Sequence, residues 1–355
     1  MQRLHTQEIK SHAGKDVTLF GFAQTIRNQG KIIFIILRDI TGLVQVVVLP
    51  DNKEAFDVAS NLTQESVVKI SGLAKEEKQA PGGYEIEAKS IEVLSEADPE
   101  LPIPVVSEKG GAETEQPTRL DWRWIDLRKL EKTKIFKVWT ELEKGFRKYF
   151  DKNGFIQFYS PSFMNAPSES GSEVFEVNYM DQKAYLAQSP QFYKQMAMAS
   201  GFEKVFAMGP VFRAEPSFTT RHLTEFTGWD FEISYIESHH DVIAEEEKLI
   251  VEGFKQLKET VLPEIEIPNI PFPKLSMAEV KKKLAEAKVP SEKEHDISPE
   301  EEREISRIIK EETGSDFIWI TDYHISIRPF YHMRHEDNPE LTKSFDLLYK
   351  GVEVT

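Results

Sequence analysis

The 355-residue sequence contains no cysteine, which excludes disulfide bonds, thiol catalysis and cysteine-ligated zinc. It also lacks any run near the roughly 20 apolar residues that a helix needs to cross a bilayer. Its start, MQRLHTQEIK, has no apolar stretch of the signal-peptide kind. The expected setting is soluble and cytoplasmic, with no membrane partner. Positive charge is short as well: 44 Lys plus Arg stand against 60 Asp plus Glu, a formal charge of −16. Bulk electrostatics therefore cannot drive binding to a polyanion. Any nucleic-acid contact must be local and shaped, made by stacking and base-edge hydrogen bonds. Apolar and aromatic residues, by contrast, are plentiful: 40% of the chain is hydrophobic, with 23 Phe and 5 Trp. One core rarely grows past roughly 250–300 residues, so two domains are expected.

Residues 16–49 give three β-rich runs separated by Asn28-Gln29-Gly30 and by the turn-like residues 39–42, and residues 66–73 and 84–94 add two more. Five short strands with little helix predict a small closed barrel of OB type, a fold that binds oligonucleotides on an exposed strand face. Phe34 is the candidate for stacking on a base, Gln45 for a base edge, and Arg27 lies beside them. Core packing is the competing reading of Phe34. Residues 97–117, rich in Pro, Glu and Gly and without periodicity, read as a hinge. Beyond it, helical spacing over residues 134–150 is stopped by Asn153-Gly154 and followed by a strand over 155–159. The loop at 165–172, NAPSESGS, contains Glu169. Residues 189–199 read as a helix capped by Ser189 with Pro190 at its first position. Gln191 and Lys194, three apart, share a face near its positive end, where a cation makes sense if an anion sits close by.

Residues 205–235 carry the densest chemistry. Both flanks alternate with period two, as strands with one buried face do. In the second, Phe226, Gly228, Asp230 and Glu232 share one face, and Thr227, Trp229, Phe231, Ile233 and Tyr235 the other. Arg213 and Glu215 share a face of the first, and the loop between carries Arg221, His222 and Leu223. Arginines can take a polyphosphate, a glycine admits a ligand to the backbone, an aromatic stacks on a base, and acids remain for an ammonium group. Any one of these charges, taken alone, reads as solvated. Further helices are expected over 241–261, within 271–288 and over 299–313. The acidic run SEKEHDISPEEER reads as a solvated linker and helix start. His239-His240 does not read as a metal pair, because adjacent helical residues diverge and no third ligand has suitable spacing. Asp346 and Glu353 flank Lys350-Gly351, and two hard carboxylates near a phosphate pocket suit Mg²⁺.

PVFRAE followed by TRHLTEFTGWDFE resembles motif 2 of the class II aminoacyl-tRNA synthetases, and within them the aspartyl branch of archaeal and eukaryotic type. SPQFYKQ and KSFDLLYKGVE resemble that branch's amino-acid and metal segments, and IRNQGKIIFIILRD and GLVQVVV its anticodon-binding strands. The implied fold is α+β: a five-stranded OB-type β-barrel at 1–96, the hinge at 97–117, and a class II domain at 118–355 built on an antiparallel sheet flanked by helices. The implied activity is an aspartate–tRNA ligase using ATP and Mg²⁺, with L-aspartate and tRNA(Asp) as substrates, tRNA(Asn) as a second acceptor candidate, and a homodimer formed through the motif 1 helix and strand.

By the resemblance, Arg213 neutralises the α-phosphate and also faces the aspartate. Glu215 and Phe226 take the adenine, and Arg221, His222 and Leu223 line the outer nucleotide site. Lys194 takes the aspartate side chain, while Glu169, Gln191 and Asp230 receive the rest of the amino acid. Glu353 and Asp346 hold the metal, and Arg27, Phe34 and Gln45 read the anticodon. Ser170-Gly171 replaces the usual glycine pair, which implies a stiffer loop beside Glu169. An asparagine–tRNA ligase shares this fold and motif 2, and a truncated, non-catalytic module that binds tRNA or a partner is the other rival. The family continues past the equivalent of Thr355 into a Gly-Gly-Gln-Arg segment and motif 3. The expectation is thus a fragment of a longer frame or a truncated paralogue, inactive or severely impaired in adenylate formation as it stands.

Overall fold

Burial alternates along the N-terminal strands even where, as over Ile33–Arg38 and Leu43–Val48, nearly every residue is apolar, and the computed structural model closes them around the buried side. It describes residues 4–106, 112–169, 174–214, 223–291 and 293–355, which fall into two compact units, Met1–Lys137 and Val138–Thr355. In the first, β1 (Asp16–Asn28), β2 (Ile33–Arg38), β3 (Leu43–Val48), helix α1 (Lys53–Asn61), β4 (Val67–Glu76) and β5 (Tyr84–Ser95) follow in order. The strands form a closed barrel in the order β1-β2-β3-β5-β4. Its core is aliphatic: Leu19, Ile33, Ile35, Leu37, Val46, Ile70 and Ile86 are buried together. Phe34 and Ile36 alternate with these residues and so point away from the core, which sets aside core packing for Phe34. Asn52 caps α1 by accepting the Ala55 N–H.

Buried charge also occurs in this unit. Arg38 grips Glu65 with both terminal nitrogens, at 2.6 and 2.7 Å, and Arg128 adds a third contact at 3.0 Å. Arg128 follows the short helices α2 (Gln116–Asp121) and α3 (Arg123–Asp126), and α4 (Leu130–Lys152) comes next.

The second unit continues with β6 (Ile156–Phe158), β7 (Phe163–Met164), β8 (Glu176–Tyr179), β9 (Gln182–Leu186), α5 (Gln191–Ala199), β10 (Lys204–Phe212), β11 (Glu225–Ile233) and α6 (His239–Thr260). It ends with β12 (Lys274–Ser276), α7 (Met277–Glu286), α8 (Pro299–Thr313), β13 (Phe317–Thr321), β14 (Phe345–Tyr349) and β15 (Val352–Glu353). The strands fall into three sheets, β11-β10-β6, β12-β13-β14-β15 and β7-β9-β8. Pairing is antiparallel except for β6 on β10 and β12 on β13. Around β10 and β11 the core is aromatic: Phe150 stacks on Phe206 at 4.4 Å, and Trp229 and Phe231 pack against them from β11, whereas Val280, Leu284, Ile305 and Ile318 belong to an aliphatic core under α7 and α8. Helices α4 and α6 meet at Gly145 and Gly253, where a Cβ on Gly145 would lie 2.8 Å from the Gly253 Cα, so only glycine lets the backbones approach this closely.

Four expectations differ from what the fold shows. β11 ends at Ile233, and Tyr235 is 91% exposed with a left-handed φ of 56°, so it is not part of the apolar face. α5 begins at Gln191, which makes Pro190 rather than Ser189 its N-cap position; Ser189 Oγ still accepts the Gln191 N–H at 3.2 Å while donating to Glu169. The acidic run before α8 is not wholly solvated: Glu301 and Glu302 are buried, Glu301 completing a capping box with Ser298 and pairing with Lys281 at 3.0 Å. The rings of His239 and His240 do not diverge but approach to 4.2 Å at the first turn of α6, although no cluster able to hold a metal exists among the described residues.

Candidate active site and nucleic-acid interface

The register of β10 and β11 sets opposite each other Val211 and Phe226, Gly209 and Gly228, Ala207 and Asp230, and Val205 and Glu232. Small partners on β10 leave the face bearing Phe226, Asp230 and Glu232 open, while Trp229, Phe231 and Ile233 fill the core behind it. Helix α5 packs on this sheet and sends Lys194 between the acids. The lysine is only 7% exposed. Its Nζ donates to Asp230 Oδ1 at 3.0 Å and to the Phe231 carbonyl at 3.4 Å, with Glu232 Oε2 at 3.6 Å. Burial alone would push the ammonium down, but Asp230 and Glu232 together outweigh it and hold its pKa above the ordinary lysine value. Burial raises Glu232, against the pull of Lys194. The anion expected near this helix start is therefore, in part, the protein's own. Behind the cluster on α6, Glu246 is buried with one carboxylate oxygen unpartnered, and burial pushes its pKa up to about 7.

Glu169 is fixed by residues distant in sequence. Ser189 Oγ donates to one carboxylate oxygen at 2.5 Å and Tyr331 Oη to the other at 2.5 Å. Gln188 Oε1 accepts the backbone N–H groups of Ser168 and Glu169 at 3.1 Å, holding the loop itself. Burial, followed by the hydrogen bond to Glu169, raises Tyr331 above the usual phenol range, with Arg213 pulling the other way. Arg213 has its guanidinium 5.4 Å from the centre of the Phe226 ring, and its buried Nε has no hydrogen-bond partner among the described residues. Gln191, the first residue of α5, is half-buried, and Leu223 is exposed. Glu215, Arg221 and His222, with Ser170 and Gly171, lie outside the described residues.

The hairpin β14–β15 turns through Lys350 and Gly351, both with left-handed φ (52° and 80°), the requirement of a tight two-residue turn and the reason for the glycine. Leu348 pairs with Glu353, so Asp346 and Glu353 are diagonal neighbours on one face. Asp346 is engaged by Arg328, whose Nη2 donates to Oδ2 at 2.6 Å. Residues 328–332 thus touch both carboxylate groups of the site, through Arg328 at one end and Tyr331 at the other. Sequence reasoning missed Gln188, Tyr331 and Arg328, and gave Ser189 only a capping role. Their partners lie up to 162 positions away, and no local spacing signals them.

A cavity of about 620 Å³ opens elsewhere in this unit, beside the C-terminal end of α8, lined by Ile265, Ile267, Lys310, Asp316, Tyr349 and Lys350. None of the candidate residues lines it, so side-chain chemistry rather than concavity locates the site.

On the barrel, Arg27, Phe34 and Gln45 do come together. With Thr25, Gln29, Ile36 and Gln79 they line a pocket of about 230 Å³. Arg27 pairs with Phe34 between β1 and β2, and Gln45 with Ile36 between β2 and β3. The Gln45 amide donates to Glu85 at 3.0 Å, which orients its remaining acceptor. Gln79 had no sequence signal, since it reaches the pocket from the loop between β4 and β5.

A family model described as tRNA synthetases class II (D, K and N) matches residues 115–355. The chain belongs to the class II tRNA synthetases. An OB-fold nucleic acid binding domain model matches residues 17–94 of this synthetase. It is 37% identical to an aspartate–tRNA(Asp/Asn) ligase of Archaeoglobus fulgidus, over 99% of this chain and 82% of the relative. It is 40% identical to an aspartate–tRNA(Asp) ligase of Thermoplasma volcanium, over 96% and 79%. Among solved structures it resembles the asparaginyl-tRNA synthetase of Pyrococcus horikoshii complexed with asparaginyl-adenylate (TM-score 0.89, 31% identity, 99% of this chain and 82% of that one). It also resembles the aspartyl-tRNA synthetase of Entamoeba histolytica (TM-score 0.86, 27% identity, 100% and 77%). The chain thus spans about four-fifths of the length of these relatives. Among the described residues no helix is long and apolar enough to cross a membrane.

Proposed function

We propose that this synthetase is an aspartate–tRNA ligase, activating L-aspartate with ATP and transferring it to the 3′ end of tRNA in the cytoplasm. The observation that carries the amino-acid choice is Lys194, a lysine kept charged inside the site and aimed at the face that bears Asp230. A permanent cation there attracts the second carboxylate of aspartate and gives an amide no comparable gain.

In the first step the α-carboxylate of aspartate attacks the α-phosphorus of ATP and pyrophosphate leaves; in the second a ribose hydroxyl of the tRNA attacks the activated carbonyl and AMP leaves. The attacking carboxylate is already ionised, so positioning and charge neutralisation carry the rate. Arg213 neutralises the α-phosphate and, with Phe226, clamps the nucleotide; Glu215, Arg221, His222 and Leu223 complete its grip. Glu169, held by Ser189 and Tyr331, receives the substrate ammonium with Gln191 and Asp230. Asp346 and Glu353 fit Mg²⁺: both offer hard oxygen donors, and an ion that takes one or two carboxylates plus phosphate needs no larger protein cage. Magnesium, when bound, offsets the charge of the phosphate oxygens.

Arg27, Phe34, Gln45 and Gln79 read the anticodon of tRNA(Asp). The names of the relatives make tRNA(Asn) the second acceptor to test. Ile135, Phe136 and Trp139 leave an exposed apolar stripe on α4, which supports a homodimer through this helix.

One observation favours asparagine instead: Lys194 is already partly balanced by Asp230 and Glu232, which lowers its pull on a substrate carboxylate. ATP–pyrophosphate exchange decides. Aspartate-dependent exchange with little response to asparagine supports the proposal, and the reverse preference overturns it.

A further inference from the structure

The two carboxylates assigned to the metal already have a cation beside them. Arg328 donates to Asp346 at 2.6 Å, and the side chains of this pair are only 18% and 16% exposed. The guanidinium carbon lies 3.7 Å from the centre of the Tyr323 ring, so the arginine is held from two sides, by a carboxylate and by an aromatic face. Glu353 adds its field to the same group. A guanidinium does not lose its proton in a protein, so this charge is permanent. Asp346 and Glu353 contribute −2 and Arg328 contributes +1, which leaves −1 for an incoming ion. Mg²⁺ gives up water reluctantly and is bound through a few carboxylates together with substrate phosphates. A site of net −1 is therefore a poor one for the free ion and becomes a good one once phosphate charge arrives.

We propose that Arg328 makes metal binding conditional on the nucleotide: by half-neutralising the Asp346–Glu353 pair it disfavours free divalent cation and admits the ion only together with ATP phosphates. Arg328 is a positioning residue in this scheme, acting on the metal through Asp346. The inference rests on the reading of Asp346 and Glu353 as the metal site.

The test is Mn²⁺ binding, followed by electron paramagnetic resonance and competed with Mg²⁺, with and without a non-hydrolysable ATP analogue. The wild-type protein should bind Mn²⁺ weakly alone and about a hundredfold more tightly with the analogue, since phosphate oxygens then complete the site. Arg328→Gln should tighten nucleotide-free Mn²⁺ binding about tenfold, the scale of one nearby unit charge, and narrow the enhancement by the analogue accordingly. Arg328→Lys, which keeps the charge, should stay within about threefold of wild type.

Tight nucleotide-free binding by the wild type would overturn the inference without recourse to any variant. So would an Arg328→Gln protein no tighter than wild type, or an Arg328→Lys protein as tight as Arg328→Gln. Glu353→Gln separates the two layers. If it abolishes Mn²⁺ binding in the presence of the analogue while Arg328→Gln matches wild type, the inference alone fails. If neither Glu353→Gln nor Asp346→Asn affects Mn²⁺ binding, the metal-site reading fails first and takes the inference with it.

Discussion

In the barrel, Arg27, Phe34 and Gln45 occupy outward positions on neighbouring strands whose inward neighbours, Ile33, Ile35, Val44 and Val46, fill an aliphatic core. In the synthetase unit, Lys194 is buried against two half-buried acids, and the same groups that face a substrate also balance one another. The barrel therefore separates its ligand surface from its stabilising core, whereas the synthetase unit merges them. Substitutions should cost function without stability in the first case and both together in the second.

Lys194→Met is the most severe test of that contrast. It leaves the half-buried Asp230 and Glu232 without their counter-charge, which places the cost between that of an exposed and that of a fully buried pair, about 2 kcal/mol. Urea denaturation should show this loss together with loss of aspartyl-adenylate analogue binding; a variant of unchanged stability would show that the acids are solvated and the merger is wrong.

Glu246 gives a pH-dependent version. Its native pKa of about 7 lies above the ordinary 4.5, so between those values the native state keeps a proton that the unfolded chain releases. Stability consequently falls as pH rises through this window, by on the order of 3 kcal/mol from this group at pH 7 and above. Glu246→Gln should be more stable than wild type at pH 8 by up to that amount, the gap closing near pH 4. Parallel stability curves for the two proteins would contradict it.

The barrel predicts the opposite signature. Phe34→Ala should weaken tRNA binding by about 1–3 kcal/mol, the usual worth of one base stacked on an aromatic ring, with the melting temperature nearly unchanged. A large drop in melting temperature would mean that Phe34 is core after all.

The smallest effect is expected at Tyr331→Phe, which removes one of the two hydroxyls on Glu169. A lost hydrogen bond of this kind is worth about 1 kcal/mol, so KM for aspartate should rise several-fold with kcat little changed, and stability should fall by about the same small amount. A fall in kcat at constant KM would place Tyr331 in the chemistry instead.

The same contrast explains what could be read from sequence. Strand periodicity places Asp230 opposite Trp229 without any knowledge of tertiary structure, and α8 spans the expected residues 299–313; β2 is apolar at five of its six positions, so its sequence leaves Phe34 open between core and surface. Local spacing could not reveal that Ser189 serves Glu169 as well as accepting the first N–H of α5, or that Arg328 meets Asp346. Both depend on loops whose partners are set by the packing of separate sheets. Glu301 and Glu302 show the reverse failure, where an acidic run reads as solvated although the fold buries two of its members. Buried polar pairs are the part of a site that composition conceals, because each charge looks like a surface residue until its partner is located.

The central claim is that Lys194 selects a carboxylate. Its most direct test is the binding of non-hydrolysable aspartyl- and asparaginyl-adenylate analogues to the wild-type protein and to Lys194→Arg, which keeps the charge but not the shape. The account predicts that wild type prefers the aspartyl analogue by at least about tenfold, the worth of one charge-assisted contact, and that the arginine variant keeps the sign of this preference while binding both more weakly. Equal affinity for the two analogues, or tighter binding of the asparaginyl one by the wild type, would contradict it.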